Sequence, residues 1–219
     1  MKIVSVVSQK GGGGKTTAAL HLSVVAGQKG KKVALVDNDH PQHSAAVWHQ
    51  GRQADQPLLA KATMEDLPAL VNQARSDGLD LLIIDTSPHN DEAAVAAAKL
   101  ADLIIIPCRP GPLDLAAVGA TIRVCAHSKK PYAVLLNACP MVRRVLGKER
   151  EAAIVREART VIEQQYKART VPQQLTQLAA YSHALIGGEA VTEFEPYGRA
   201  AEEIGRLWEW TEGELYNGN

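Results

Sequence analysis

The sequence predicts a single α/β domain, with a mostly parallel, twisted sheet covered by helices on both faces. Three observations predict it. Short apolar runs alternate with amphipathic helical patterns along the 219 residues. The first run leads into Ser8-Gln9-Lys10-Gly11-Gly12-Gly13-Gly14-Lys15-Thr16-Thr17, which opens an Ala/Leu-rich helical pattern. The other clusters of chemistry-bearing residues fall at the ends of apolar runs, where parallel sheets bind their ligands. The length suits one domain spanning residues 1–219.

Taken in order, residues 2–8 read as the central strand and 16–28 as its helix, with Gly30 as a stop signal. Residues 32–36 form a second strand that ends in Asp37-Asn38-Asp39, and 41–50 are helical. A connector follows, with a short strand at 58–60, and then a helix at 66–76. Residues 80–85 are a buried strand, Leu81-Leu82-Ile83-Ile84 before Asp85. Residues 91–100 are an Ala-rich helix, 103–107 a buried strand, 113–126 a helix, and 132–137 a strand ending at Asn137. The remainder reads as a helix at 148–166, a short strand at 170–171 and a terminal helix at 198–215.

Composition narrows the class. No apolar run approaches the roughly 20 residues that span a bilayer, and Met1-Lys2 leads directly into a strand without a secretory pattern. Cys108, Cys125 and Cys139 form no CxxC and cannot all pair, so reduced thiols in a cytoplasmic protein are expected. Net charge is zero but uneven. Residues 101–170 hold 12 basic and 6 acidic side chains, and residues 171–219 hold 2 and 8. This is either a dipolar surface without function or a basic patch for a polyanion.

The glycine stretch carries the chemistry. Gly11, Gly12, Gly13 and Gly14 let the backbone approach a polyphosphate and turn N–H groups inward. The following helix N-terminus adds its own N–H groups and partial positive charge. Lys15 supplies a full charge to the outer phosphates, and the Thr16 hydroxyl is placed to ligate Mg²⁺. With Thr17 these residues complete a P-loop, so the chain reads as a P-loop NTPase. Asp85 ends its strand as a Walker B carboxylate does and would hold the Mg²⁺ water shell; otherwise it caps the next helix. Thr86-Ser87-Pro88-His89 would then sense the terminal phosphate. Asp37 and Asp39 end the neighbouring strand; one can orient or deprotonate the attacking water, and either could instead cap a helix. Asn137 offers a donor and an acceptor to the edge of an adenine. Lys10 is a second lysine, five residues before Lys15, and both are unlikely to reach one phosphate. It can point outward to a nucleotide on a second subunit.

Lys-Gly-Gly-x-Gly-Lys-Thr-Thr with the extra lysine resembles the deviant Walker A of the ParA/MinD family of P-loop ATPases. Val36-Asp37-Asn38-Asp39-His40-Pro41-Gln42, with Ser44 and Trp48, is similar to the family's Asp-x-Asp-Pro-Gln region. Ile83-Ile84-Asp85-Thr86-Ser87-Pro88-His89 looks like its Walker B segment, and the stretches ending at Asp114-Leu115 and at Asn137 match later strand ends. Three departures stand out: His40 is an added residue before Pro41, Gly13 replaces a position that often bears a side chain, and Ser87 replaces a proline. The resemblance covers nearly the whole chain and is strongest to the short ParA branch.

The resemblance implies a cycle. Two monomers holding ATP and Mg²⁺ form a homodimer, with Lys10 on the partner's phosphates. That dimer binds DNA without sequence preference. A ParB-like or small adaptor DNA-binding protein stimulates hydrolysis, and cargo is moved over the nucleoid. Residue by residue, it implies that Lys15 binds phosphate, Thr16 and Asp85 serve Mg²⁺, Asp39 is needed for hydrolysis near the metal, Asn137 meets the adenine, and Pro172 lies where the chain passes the base. Arg199 is its DNA-binding candidate; Arg143 and Arg144, within the basic stretch that also holds Lys148, Arg150, Arg156 and Arg159, are added on charge.

Other classes fit less well. A membrane cycle needs a basic amphipathic C-terminal helix, and residues 202–214 are amphipathic but acidic. A nitrogenase-type reductase needs paired cluster-ligating cysteines. A metabolic ligase needs a dedicated substrate loop. A sequence-specific autoregulator needs a helix-turn-helix, and the chain begins at the first strand.

Overall fold

The computed structural model describes residues 1–39, 42–88, 91–145 and 148–216, with side chains undescribed at 143–145 and 148–149. Six strands form one sheet: β1 Lys2–Val6, β2 Val33–Asn38, β3 Leu58–Lys61, β4 Leu81–Thr86, β5 Leu103–Cys108 and β6 Tyr132–Leu136. Their order is β3-β2-β4-β1-β5-β6, and every pairing is parallel. The register sets Val6 opposite Asp85 and Asp37 opposite Asp85, so three strand ends that carry the site are lateral neighbours.

Alternation along the strands divides the core. Val4, Val6, Leu81, Ile83, Leu103 and Ile105 point to one face. There they meet α1 Lys15–Gln28, α7 Ala179–Ile186, α8 Val191–Phe194 and α9 Arg199–Tyr216. Ile3, Leu82 and Ile84 point to the other face, against α3 Leu67–Ser76 and α4 Asp91–Leu100. Ile104, Ile106 and Val134 share that second face with α4, α5 Pro112–His127 and α6 Ala153–Thr160. A sheet covered on both faces must be apolar on both, which explains the near-continuous apolar strands. Helix α9 turns Ala200, Ile204, Leu207, Trp208, Thr211 and Leu215 inward, the spacing of one helical face. Trp208 is fully buried and Trp210 packs against the same core, so these rings belong to the interior. Among the described residues no helix is long and apolar enough to cross a membrane. The three cysteines are buried and unpaired.

Two stretches differ from the sequence expectation. The helix expected over 148–166 begins only at Ala153; residues Arg143–Val145 (β7) and Lys148–Arg150 (β8) pair as a small antiparallel hairpin before it. The helix then widens into a π-helical turn, Val161–Gln165. The strand expected at 170–171 is a single bridge, Thr170 to Val134. From there the chain runs beside β6 without regular pairing, with Leu175 N–H donating to the Leu136 carbonyl (2.9 Å) and Gln177 N–H to Cys139 (2.8 Å). The helix expected at 41–50 is described from Ser44 as α2, Ser44–Gln50; His40 and Pro41 lie outside the described residues. Helices α7 and α8 have no counterpart in the sequence reading. Each is too short for periodicity to stand out.

His21 on α1 is fully buried, edge-on to Tyr181 at 5.3 Å, and its Nδ1 accepts the Val191 N–H. Burial pulls its pKa down to about 3. The unfolded chain takes a proton near pH 6.5 that the native state refuses, so stability is present above that pH and lost towards pH 3. The loss from this group is expected to reach up to about 4 kcal/mol. His21→Leu should show a flatter dependence of denaturant midpoint on pH between 6.5 and 4 than wild type. Parallel curves would refute this.

Candidate functional site

The C-terminal ends of the central strands open onto a cavity of about 670 Å³. Gly11, Gly12, Gly14, Lys15, Thr16 and Thr17 form one side of it. The loop takes two left-handed residues, Gly12 at φ +73° and Gly14 at φ +98°, the second of which starts α1. A Cβ on Gly14 would lie 1.9 Å from the Asn137 amide nitrogen, and one on Gly13 3.2 Å from the Pro107 carbonyl. That close passage accounts for glycine at 13. Asn137 itself donates from Nδ2 to the Gly13 carbonyl at 2.8 Å. Its amide nitrogen is therefore committed to the loop, although the residue also lines the cavity.

Lys15 is buried, and among the described residues its ammonium has one long hydrogen bond, 3.4 Å to the Lys10 carbonyl. Burial lowers its pKa, while Asp85 and Asp39 favour the charged form. An ammonium so poorly partnered fits an anion. Asp85 is fully buried, and neither carboxylate oxygen completes a hydrogen bond among the described residues. Among the described residues it therefore caps no helix. Burial pushes its pKa up to about 7, opposed by the nearby Thr16 hydroxyl and Lys15. Orphaned oxygens beside a threonine hydroxyl fit a hydrated divalent cation. Among the described residues no three His, Cys, Asp or Glu side chains converge as a metal cage. A cation here would draw on Thr16, Asp85, water and phosphate, as Mg²⁺ does.

The two aspartates of β2 separate in role. Asp37 is fully buried, and its oxygens accept the Asp39 N–H (3.0 Å) and the Ala46 N–H in the first turn of α2 (2.9 Å). It is spent on shaping the turn. Asp39 lines the cavity, its pKa raised by burial and held down by Lys15. Pro88 also lines the cavity, and His89 lies outside the described residues. Lys10 points away from the loop to Asp114 at the start of α5, with 2.9 Å between Nζ and Oδ1.

Other expected residues lie elsewhere. Pro172 does not line this cavity. It sits in a separate cleft with Arg159 and Arg199, so the wall that the chain presents past the last strand is residues 176–178, with Tyr181. Arg199 donates from Nε to Glu203 at 2.8 Å and keeps about a third of its side chain exposed. Arg159 is consumed by Glu151 and the carbonyls of Val171 and Pro172. The side chains of Arg143 and Arg144 lie outside the description, whereas Arg150 and Arg156 are exposed. Arg109 lines the cavity and went unnoticed in the sequence. It directly follows β5 as Asn137 directly follows β6, so the strand-end rule could have found it.

The family model described as VirC1 protein matches residues 1–176. "Maintenance of carboxysome distribution protein A" of Gloeobacter kilaueensis is 34% identical over 216 residues, 94% of this chain and 95% of that one. "Protein ParA" of Rhizobium radiobacter is 26% identical over 194 residues, 84% and 86% of the two chains. The septum site-determining protein MinD of Pyrococcus horikoshii, solved with Mg-ADP, superposes with a TM-score of 0.78 at 18% identity, covering 100% of this chain and 98% of that one.

Gly14→Ala should destabilise the nucleotide-free protein by about 2 kcal/mol or more, through its positive φ and its collision with Asn137. Asn137→Ala should cost about 1 kcal/mol by freeing the Gly13 carbonyl. In the double variant the collision disappears, so the two losses should sum to more than the combined one in urea unfolding. Strict additivity would show that the amide does not brace the loop.

Proposed function

We propose that this chain, which belongs to the ParA/MinD family of P-loop ATPases, is a positioning ATPase that dimerises with ATP on non-specific DNA. The observation that carries the proposal is the opposed pair of lysines on one loop. Lys15 is buried facing Asp39 and Asp85, while Lys10 is half-exposed and tethered outward to Asp114. One lysine serves this chain's own nucleotide, and the other is available to a second copy.

In this reading the backbone N–H groups of the glycine loop and Lys15 bind the ATP phosphates. Thr16 and Asp85 would hold Mg²⁺, whose charge neutralises the outer phosphates. Asp39 orients the attacking water. Asp37, by holding the Asp39 N–H, fixes where that carboxylate points. Lys10 releases Asp114 and reaches the partner's phosphates. The exposed arginines 150 and 156 and the partly exposed Arg199, with 143 and 144, supply phosphate contacts on duplex DNA, and dimerisation doubles them. A ParB-like or small adaptor protein stimulates hydrolysis and ends the DNA-bound state. The protein is then cytoplasmic and nucleoid-associated, and its cargo is a large body: the relative from Gloeobacter is named for carboxysome distribution. The acidic, inward-packed α9 speaks against a membrane cycle.

Lys15→Ala should lose ATP binding. Asp39→Ala should bind ATP and accumulate as a dimer without turnover. Lys10→Ala should bind ATP within about threefold of wild type yet stay monomeric in sedimentation, the loss of one charge-assisted contact set per site. Lys10→Ala dimers as stable as wild type would overturn the trans assignment.

Duplex DNA of arbitrary sequence should be retarded with ATP and much less with ADP or no nucleotide. Affinity should fall by about a thousandfold or more from 50 to 200 mM salt if six or more phosphates are contacted. Binding that ignores nucleotide or salt would reject the DNA arm.

A further inference from the structure

Glu203 on α9 is a buried carboxylate that the proposed cycle does not use. It is 7% exposed and accepts three hydrogen bonds. One comes from the Thr176 backbone N–H (2.7 Å, to Oε2), one from the Thr176 hydroxyl (2.6 Å, to Oε1) and one from Arg199 Nε (2.8 Å, to Oε1). The Tyr181 hydroxyl lies near the same carboxylate, and burial together with Glu203 drives its pKa far up. Thr176 and Tyr181 are both lining residues of the nucleotide cavity.

The place of that wall gives the contact its meaning. In the ATPase reading the phosphates would lie against the glycine loop and Lys15, and residues 176–178 and Tyr181, which line the same cavity, are left to the sugar and base. Residues 170–177 are no regular strand; they meet β6 and the chain just past it at two isolated parallel bridges, Thr170 to Val134 and Thr176 to Cys139, with the Leu175 N–H also donating to the Leu136 carbonyl. Those backbone bonds fix one side of the segment, and the tolerance that base recognition needs also calls for a contact on its other side. Glu203 grips it from the side opposite to β6, by main chain and side chain together.

We propose that Glu203 is a positioning residue that sets the base-side wall of the nucleotide cavity and thereby its discrimination among purine nucleotides. This rests on the ATPase reading of the cavity. Its corollary concerns Arg199: one nitrogen of that guanidinium belongs to the wall, so the DNA candidate is wired to the nucleotide site through a single carboxylate.

Glu203→Gln tests it. A glutamine amide has one acceptor oxygen and a donor nitrogen, so it cannot satisfy all three donors. Wild type, Glu203→Gln, Glu203→Asp and Thr176→Val should be compared for binding of ATP and GTP by fluorescent-analogue displacement without DNA, and for steady-state hydrolysis. Glu203→Gln should bind ATP about tenfold more weakly, raise KM with kcat changed less than twofold, and reduce the ATP-over-GTP preference. Thr176→Val keeps the backbone bond and should move the same way by a smaller factor. It also keeps the test decisive should Glu203→Gln fail to fold. Glu203→Asp should recover part of the preference. Unchanged affinity and preference in a folded Glu203→Gln or Thr176→Val protein would overturn the inference, as would lower thermal stability with an unaltered ATP-to-GTP ratio. Failure of wild type to bind any nucleotide would instead reject the ATPase reading beneath it.

Discussion

Lys15 is a buried cation with one long hydrogen bond among the described residues, and the architecture around it follows from that. A buried ammonium needs compensating charge. The neighbouring strands supply it through Asp85, near the end of β4, and Asp39, just past the end of β2. Those carboxylates in turn sit out of water, which raises the pKa of Asp85 to about 7 and that of Asp39 in the same direction. Neither sign of charge is comfortable without a ligand. A polyphosphate with a divalent cation brings anion to Lys15 and cation to Asp85, and so relieves both penalties at once. The tight loop is the geometric counterpart: with no Cβ at 13 and 14, it can lie against Pro107 and Asn137 and leave its N–H groups for the ligand.

Rigid support for Asp39 comes from a remote part of the chain. Helix α2 follows directly, and Asp37 holds its first turn through the Ala46 N–H. At its far end Trp48 donates to the Glu189 carbonyl at 3.1 Å. Arg52 stacks 5.0 Å from the Trp48 ring and makes a two-pronged pair with Glu193. Glu193 also accepts the Ala190 N–H, fixing the start of α8. Three acidic residues of the C-terminal segment pair with cations elsewhere, Glu193 with Arg52, Glu212 with Lys31 and Glu214 with Arg169, while Glu203 pairs with Arg199 on the same helix. Of these pairs, that of Glu214 with Arg169 joins the basic segment 101–170 to the acidic tail, and its exposure holds it to about 1 kcal/mol or less.

How much of this was legible follows from the range of each signal. The glycine loop, the strand-ending aspartates and the layered α/β class are local patterns, and the sheet forms as they predict. Spacing alone does not tell Asp37 from Asp39, and the choice of Asp39 rests on the family resemblance, because what separates them is a hydrogen bond to α2 that no spacing encodes. The second hairpin strand, 148–150, is read into the helix because Lys, Glu and Arg are good helix formers. Pro172 was placed by analogy; the wall formed instead by residues 176–178 depends on Glu203, 27 residues on. Buried polar contacts of long sequence separation are what a single sequence hides.

The two lysines of the loop are coupled in a way that constrains how the second could act. The Lys10 carbonyl is the acceptor for the Lys15 ammonium, and the Ser8 hydroxyl donates to the same carbonyl at 3.4 Å. The Gln9 N–H is held by Thr121 on α5 at 3.1 Å. The backbone at residues 9 and 10 is therefore part of the phosphate cradle and cannot swing outward without removing an acceptor from Lys15. What can move is the Lys10 side chain, which among the described residues is held by a half-exposed bridge to Asp114. Such a bridge contributes about 1 kcal/mol or less, small beside the attraction of a phosphate in a partly desolvated interface. Asp114 thus orients Lys10 without trapping it. In the proposed cycle the loop backbone would stay fixed on this chain's nucleotide while its first lysine changes partners.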